Sequence, residues 1–351
     1  MNCCMECFRD SEIRAIIKSK NQIGDCDFCS LKNVYVYDVS SDPNPIADMI
    51  ISLMDIHAIS DSADAKLLKD TLHDNWDIFN VGAKIIQELT QKLSEATLIG
   101  NKDIFTYGVD IPRISTVDFL NDFGIVRGFT WSEFSESIKY ANRFHNQMFN
   151  PDAFASFLLI GTKSYPAGSR FYRARISKFP KGYTQNEMGT PPKDKRSAGR
   201  INPEGVGVLY LSSDEITVLN EVRASAFDYI TIGEFINSHD IKVVNLSGIA
   251  KISPFLYERG LEQFAANRKA FQEIEAEIAK PLRRNDSPIE YLPTQFISEF
   301  IKSQNYDGVE YKSTLNESGS NVAVFDESLF SCVDVKTIEV TEVSYKTQPD
   351  L

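Results

Sequence analysis

The chain has 351 residues, of which 42% are apolar and 25% charged, a globular balance that excludes a fully disordered chain, a collagen or a coiled coil. At roughly 150 residues per domain, the length suggests two or three domains. Lys and Arg number 37 against 49 Asp and Glu, and a net charge of −12 argues against generic binding to nucleic acid or an anionic membrane.

The opening Met1-Asn2-Cys3-Cys4-Met5-Glu6-Cys7 has no basic stretch running into an apolar one, so no secretory signal is visible. No apolar run reaches the ~18 residues that span a bilayer. The cytoplasm is the expected compartment, where the six cysteines stay reduced unless they bind metal. Cys3, Cys4, Cys7, Cys26 and Cys29 crowd the first 29 residues, and Cys332 is remote. Cys4-x-x-Cys7 and Cys26-x-x-Cys29 are separated by 18 residues. Each turn aims two thiolates at one ion, and the two together complete a tetrahedral shell, which predicts a structural Zn2+ site. Cys3 competes with Cys4 for the first position. A redox pair or merely buried cysteines are the alternatives. Four thiolates leave no position for water, so no catalysis is expected at this metal. A knuckle this short folds only with its ion, and nothing in it selects RNA, DNA or protein as a partner.

Ser40 to Pro45 is a turn-rich break. From Ile46 to about Leu98 apolar residues recur at helical spacing, as in Ile46, Met49, Ile50, Leu53 and again in Ala83, Ile86, Leu89, Leu93. Asn101 to Arg127 is mixed, and Thr130 to Phe149 reads as a helix opened by a capping pair, Thr130 and Glu133. His57, His73 and His145 fall in this region and are given no role, because a lone helical His more often fills core or surface. After about residue 160 short apolar runs predict strands at Phe171–Ile176, Val206–Leu211, Lys242–Leu246, Val309–Ser313, Val322–Phe325 and Val333–Val343. Helices are expected between them at Glu215–Tyr229, Leu256–Ile278 and Thr294–Ser303.

Four segments of the C-terminal half carry chemistry. In Phe171-Tyr172-Arg173-Ala174-Arg175 the alternation of a strand puts Arg173 and Arg175 on one face. Gly199-Arg200-Ile201-Asn202 is a turn that runs on into Leu209-Tyr210-Leu211-Ser212. Glu221 lies on the following helical run, and Tyr311-Lys312-Ser313 precedes Asn321. No phosphate loop and no Gly-x-Ser-x-Gly elbow is complete. Cys332 reads as a small core filler, with nothing basic beside it to activate a thiol.

These motifs, with Gly308-Val309-Glu310 before Tyr311, Ser320-Asn321 and the run Tyr291-Leu292-Pro293-Thr294-Gln295, resemble the RES domain family over about residues 165–345. Ile201 stands where that family usually carries an aromatic, which weakens a stacking role at this position. The zinc knuckle and helices resemble the N-terminal extension of longer members. The fold implied is α+β: an ADP-ribosyltransferase-like RES domain at 159–351, preceded by a Cys4 zinc knuckle at 1–40 and a mainly helical domain at 41–158.

The resemblance implies NAD as substrate, with Arg173, Glu221 and Ser313 catalytic. Arg173, Arg200, Asn202, Tyr210, Ser313 and Asn321 would bind NAD, and Cys4, Cys7, Cys26 and Cys29 the metal. The chemistry agrees: arginine forks suit phosphates, a carboxylate steadies an oxocarbenium ion, and a tyrosine stacks on a flat ring. The leaving nicotinamide is neutral and needs no general acid. Ser313 is preferred over Thr314, Ser318 and Ser320 because Tyr-x-Ser fits the strand end, while Arg175 reads as an exposed neighbour and Tyr210 also fits as core. The expected activity is glycohydrolysis or phosphorolysis of NAD by a growth-arresting toxin, with antiviral defence as one setting. An ADP-ribosyltransferase acting on a macromolecule and an inert binding module are the rivals. An antitoxin protein and a homo-oligomer are the partners considered, with no membrane and no nucleic acid expected.

Overall fold

The computed structural model describes residues 1–95, 102–257, 260–280, 287–316 and 318–344. The expected helical texture at 96–98, part of the run Leu256–Ile278 at residues 258–259, and the last seven residues of the C-terminal region lie outside them. The chain divides into two compact units that interleave in sequence. One holds Met1–Gly128 and Lys251–Lys269, the other Phe129–Ala250 and Ala270–Leu351.

In the first unit, strands β1 (Asn2–Cys4), β2 (Ile23–Gly24) and β3 (Val34–Asp38) form an antiparallel sheet in the order β1-β3-β2. Helix α1 (Ser11–Ser19) starts there because the Asp10 carboxylate accepts the N–H groups of Glu12 and Ile13. Beyond the break, α2 (Pro45–Asp55) is opened by Asn44 and a proline in its first turn. Next come β4 (Ala58–Ile59), β5 (Lys66–Leu67), α3 (Leu68–Asn75), α4 (Ala83–Ser94), β6 (Gly108–Asp110) and α5 (Val117–Phe123). The small sheet β4-β6-β5 interrupts a region that reads as helical. Two-residue strands carry no period, and their partner β6 lies some forty residues further on. Residues 251–269 complete this core: Phe264 stacks on Trp76 at 6.2 Å, and Asn267 accepts the Ile125 N–H at 2.7 Å.

The second unit opens with α6 (Trp131–Tyr140), where both halves of the Thr130–Glu133 capping box form. The helix ends nine residues short of Phe149. Asn142 bonds the backbone of His145 in both directions, an alternative to helix, and Asn150 then caps α7 (Pro151–Ile160). There follow β7 (Thr162–Tyr165), β8 (Arg170–Ser177), β9 (Leu209–Ser212), α8 (Glu215–Val222), β10 (Tyr229–Asn237) and β11 (Ile241–Asn245). The last elements are α9 (Leu246–Lys251), the C-terminal part of α10 (Leu261–Ala279), whose first residues belong to the first unit, α11 (Leu292–Ser303), β12 (Gly308–Lys312), β13 (Ser320–Val324) and β14 (Phe330–Glu339). The helix expected to reach Tyr229 stops at Val222, with Arg223 left-handed at φ 49°. Tyr229–Asn237 instead pairs with β8 on one side and β14 on the other, so tertiary pairing overrides the local pattern.

The eight strands form one sheet, β14-β10-β8-β9-β13-β12-β11-β7, parallel only between β11 and β12. Both faces are covered. Phe171, Leu209, Leu211, Phe235, Val322 and Val324 pack on one, and Ala174, Val218, Ile230 and Ile232 on the other. A run of aromatics ties the helices together: Phe134 and Phe149 meet Phe296 of α11, and Phe154 meets Phe271 of α10 and Phe300. No helix among the described residues is long and apolar enough to cross a membrane.

Candidate active site and metal centre

The register of the sheet builds the site. Tyr172 of β8 pairs with Ser212 of β9, Ser212 with Asn321 of β13, and Asn321 with Tyr311 of β12. Residues directly opposite share a face, so these four side chains form one row across four strands. Tyr172–Ser212 is the single pairing between β8 and β9, whereas β10 runs alongside all of β8. The sheet therefore splits beside this row, and α8 lies over the split. Val218, Glu221 and Val222 recur at i, i+3, i+4 on its sheet-facing side, with Val218 buried against Ala174, Ile230 and Ile232.

Glu221 is thereby delivered onto the row. Its Oε1 accepts two hydrogen bonds, from Ser313 Oγ at 2.7 Å and from Asn321 Nδ2 at 2.8 Å. Ser313 lies just past the end of β12, and its Oγ also accepts the N–H groups of Leu315 and Asn316, both at 3.2 Å. Asn321 Oδ1 in turn accepts from Ser212 Oγ at 2.7 Å. Among the serines and threonine weighed in the sequence, Ser313 is the one that meets the glutamate.

Arg173 donates through Nη1 to the Tyr210 carbonyl at 3.3 Å, while its Nε is buried without a hydrogen-bond partner among the described residues. Burial, with the nearby charge of Arg175, pulls this guanidinium down to about 10, still a cation at neutral pH. Arg175 shares its face but stacks on Tyr183 at 4.2 Å and donates to the Glu187 carbonyl. Arg200 packs over Tyr291 at 5.1 Å and donates Nε–H to the Lys280 carbonyl at 2.9 Å. Asn202 is consumed by its own loop: Nδ2 reaches the carbonyls of Ser197, Pro203 and Val206, and Oδ1 accepts from the Tyr210 hydroxyl at 2.7 Å. Gly199 is required by that packing, since a Cβ there would lie 2.8 Å from Asn202 Oδ1 and 2.9 Å from the Tyr210 hydroxyl.

Two adjoining cavities result. A larger one of about 380 Å³ is lined by Gly199, Arg200, Asn202, Arg223 and Lys280, a smaller one of about 200 Å³ by Arg173, Ala174, Ser212 and Val218. Glu221, Tyr210, Tyr311 and Asn321 line both. All the residues predicted for this site are thus brought together, except that Ser313 reaches it through Glu221. Sequence reading passed over Tyr311, Ser212, Arg223 and Lys280. Tyr311 and Ser212 stood inside quoted motifs, and the left-handed Arg223 two residues after Glu221 carried no signal. Burial raises the phenols of Tyr210 and Tyr311, which therefore stay neutral donors.

Cys4, Cys7, Cys26 and Cys29 converge in the first unit with all four sulfurs within 4.8 Å. Cys4–Cys7, Cys4–Cys29 and Cys7–Cys26 lie 3.7, 3.4 and 3.6 Å apart. A tetrahedral ion with metal–sulfur bonds of about 2.3 Å sets its sulfurs about 3.8 Å apart, so the donors fit. Cys3 is buried in β1 and lies outside this group of four. Burial above all pushes the Cys3 and Cys4 thiols up to about 12 and raises that of Cys7. His57 is buried with its Nδ1 2.8 Å from the Leu53 carbonyl, as core filler, and Cys332 is partly buried against the sheet.

A family model described as RES domain matches residues 170–347, just over half of the chain. The chain belongs to the RES domain family. The RES match runs from β8 through β14 and takes in every residue of the two cavities. Among solved structures, a chain of the crystal structure of the M. tuberculosis MbcT–MbcA toxin–antitoxin complex is similar at 11% identity, over 53% of this chain and 91% of that one, with a TM-score of 0.33. No curated protein matches.

Proposed function

We propose that this RES domain protein cleaves the nicotinamide–ribose bond of NAD. The observation that carries the reading is the Glu221 carboxylate, fixed through one oxygen by Ser313 and Asn321 where two cavities meet. Both described hydrogen bonds fall on Oε1, which leaves Oε2 for a ligand. As the bond between ribose C1 and the ring nitrogen breaks, its electron pair leaves with neutral nicotinamide and positive charge develops on the ribose. A fixed carboxylate stabilises that charge without reorganising. Arg173 and Arg200 offer forked donors to the diphosphate or ribose oxygens, and Tyr210 and Tyr311 offer ring faces. Water captures the ribosyl cation and releases a proton, giving ADP-ribose; phosphate captures it in phosphorolysis.

Membership of the RES domain family supports a role as a growth-arresting toxin of the cytoplasm, held in check by an antitoxin protein. Cys4, Cys7, Cys26 and Cys29 would hold a structural zinc. Purified protein incubated with NAD should release nicotinamide, and Glu221→Gln should lower the rate at least about 100-fold. The co-product, read by liquid chromatography with and without phosphate, names the acceptor. Labelled ADP-ribose appearing on a macromolecule would instead make the chain a transferase using the same site. Unchanged turnover in Glu221→Gln would remove the glutamate from the mechanism.

A further inference from the structure

Three hydrogen bonds run in series through this site: Ser212 Oγ to Asn321 Oδ1 at 2.7 Å, Asn321 Nδ2 to Glu221 Oε1 at 2.8 Å, and Ser313 Oγ to the same Oε1 at 2.7 Å. Their polarity is fixed from one end. An ionised carboxylate only accepts, so the amide must present its NH2 to Glu221. The amide oxygen then faces Ser212, which must donate. Reversing the amide would set two acceptors against each other beside the carboxylate. Ser212, Asn321 and Ser313 are each buried, so a wrongly turned amide would leave buried polar groups poorly paired.

We propose that Ser212 is a positioning residue for Glu221, acting through Asn321. The inference rests on the reading of Glu221 as the carboxylate of the reaction. Ser212 locks the amide in the orientation that donates to Oε1 and so fixes the rotamer of Glu221 between the cavities. Ser313 is a second positioning residue. Its hydroxyl has one hydrogen, given to Glu221, and its lone pairs face two backbone N–H groups, so it keeps no capacity for a substrate. Substitution of Ser212 by Ala leaves the backbone pairing with Tyr172 and Asn321 intact, so the hydroxyl is tested apart from the strand.

The test is steady-state NAD turnover in the full chain, in a double-mutant cycle. Ser212→Ala should lower kcat about tenfold with little change in KM. The same change in an Asn321→Ala background should do nothing further, and Ser212→Thr should restore most of the loss. An unchanged kcat in Ser212→Ala, or an equal loss in both backgrounds, overturns the proposal if Glu221→Gln is inactive. If Glu221→Gln turns over NAD like the parent, or the parent turns over none, it is the assignment of Glu221 that fails. Exchange of the Asn321 side-chain amide protons, followed by NMR, then decides alone. Faster exchange in Ser212→Ala supports the lock, and unchanged exchange refutes it.

Discussion

Arg173 sits in the fold at a cost the fold itself does not recover. Its Nε is buried unpaired among the described residues, and burial pulls its pKa down to about 10. An unsatisfied buried donor costs about 1–3 kcal/mol, and the neighbouring cation of Arg175 adds to it. A dianionic ligand would supply the missing acceptor. Arg173→Met should therefore keep the melting temperature or raise it, while weakening NAD binding about ten- to 100-fold, the worth of a charge-assisted hydrogen bond. Calorimetric melting and titration of the same preparation read both. A large loss of stability with unaltered affinity would mark Arg173 as a structural brace. The residues legible in the sequence are those with a motif around them. Arg173, Glu221 and Ser313 each stand in or beside a short motif of the C-terminal half. The role of Ser212 carries no such signal in the sequence, because its partner Asn321 is 109 positions away and no spacing records that distance.

At the scale of elements, α11 is the anvil of the site. Thr294 Oγ1 donates to the Arg200 carbonyl at 2.6 Å, and Gln295 Nε2 donates to the carbonyls of Gly199 and Asn202 at 2.8 and 3.0 Å. The helix is itself held by Phe296 and Phe300 among the aromatics of α6 and α7. The loop that presents Arg200 thus rests on a packed helix and not on its own flexibility. Gln295→Leu keeps roughly the volume and removes both hydrogen bonds; the Asn202 carbonyl retains the Gly199 N–H but the Gly199 carbonyl loses this donor, so unfolding in denaturant should show a loss of about 1–3 kcal/mol. KM for NAD should rise while kcat changes little, because Arg200 is displaced and Glu221 is not. The main strands were legible for a simple reason: each is a β-branched or apolar run between turns. The two extra turns given to α8, the sheet β4-β6-β5 and the strand Tyr229–Asn237 were misread or passed over. In each case long-range pairing, or one left-handed residue at Arg223, outweighed local preference.

For the whole molecule, a net charge of −12 repels an anionic substrate at long range. Arg173, Arg200, Arg223 and Lys280 nevertheless line the cavities beside Glu221. The sulfur cluster makes a separate prediction. Elemental analysis should find one zinc per chain, lost in Cys7→Ala and retained in Cys3→Ala. Strong chelators should lower the temperature at which the first unit unfolds, because folding and binding share one free energy. Zinc kept by Cys7→Ala would show that the four sulfurs are not its ligands.

The interleaving of the two units has a consequence for biosynthesis. All four clustered cysteines leave the ribosome well before residues 251–269, so the sulfur cluster can take its ion early. The first unit, however, waits for residues 251–269, which carry Phe264 and Asn267 into its core. When those residues emerge, β12 and β13 have yet to be made, and with them Ser313 and Asn321. Glu221 is by then long since synthesised but has nothing to hold it. A nascent chain with the activity proposed here is therefore harmless to the cell's NAD until β12 and β13 have been made, and an antitoxin already present would meet the cleft at the moment it first forms.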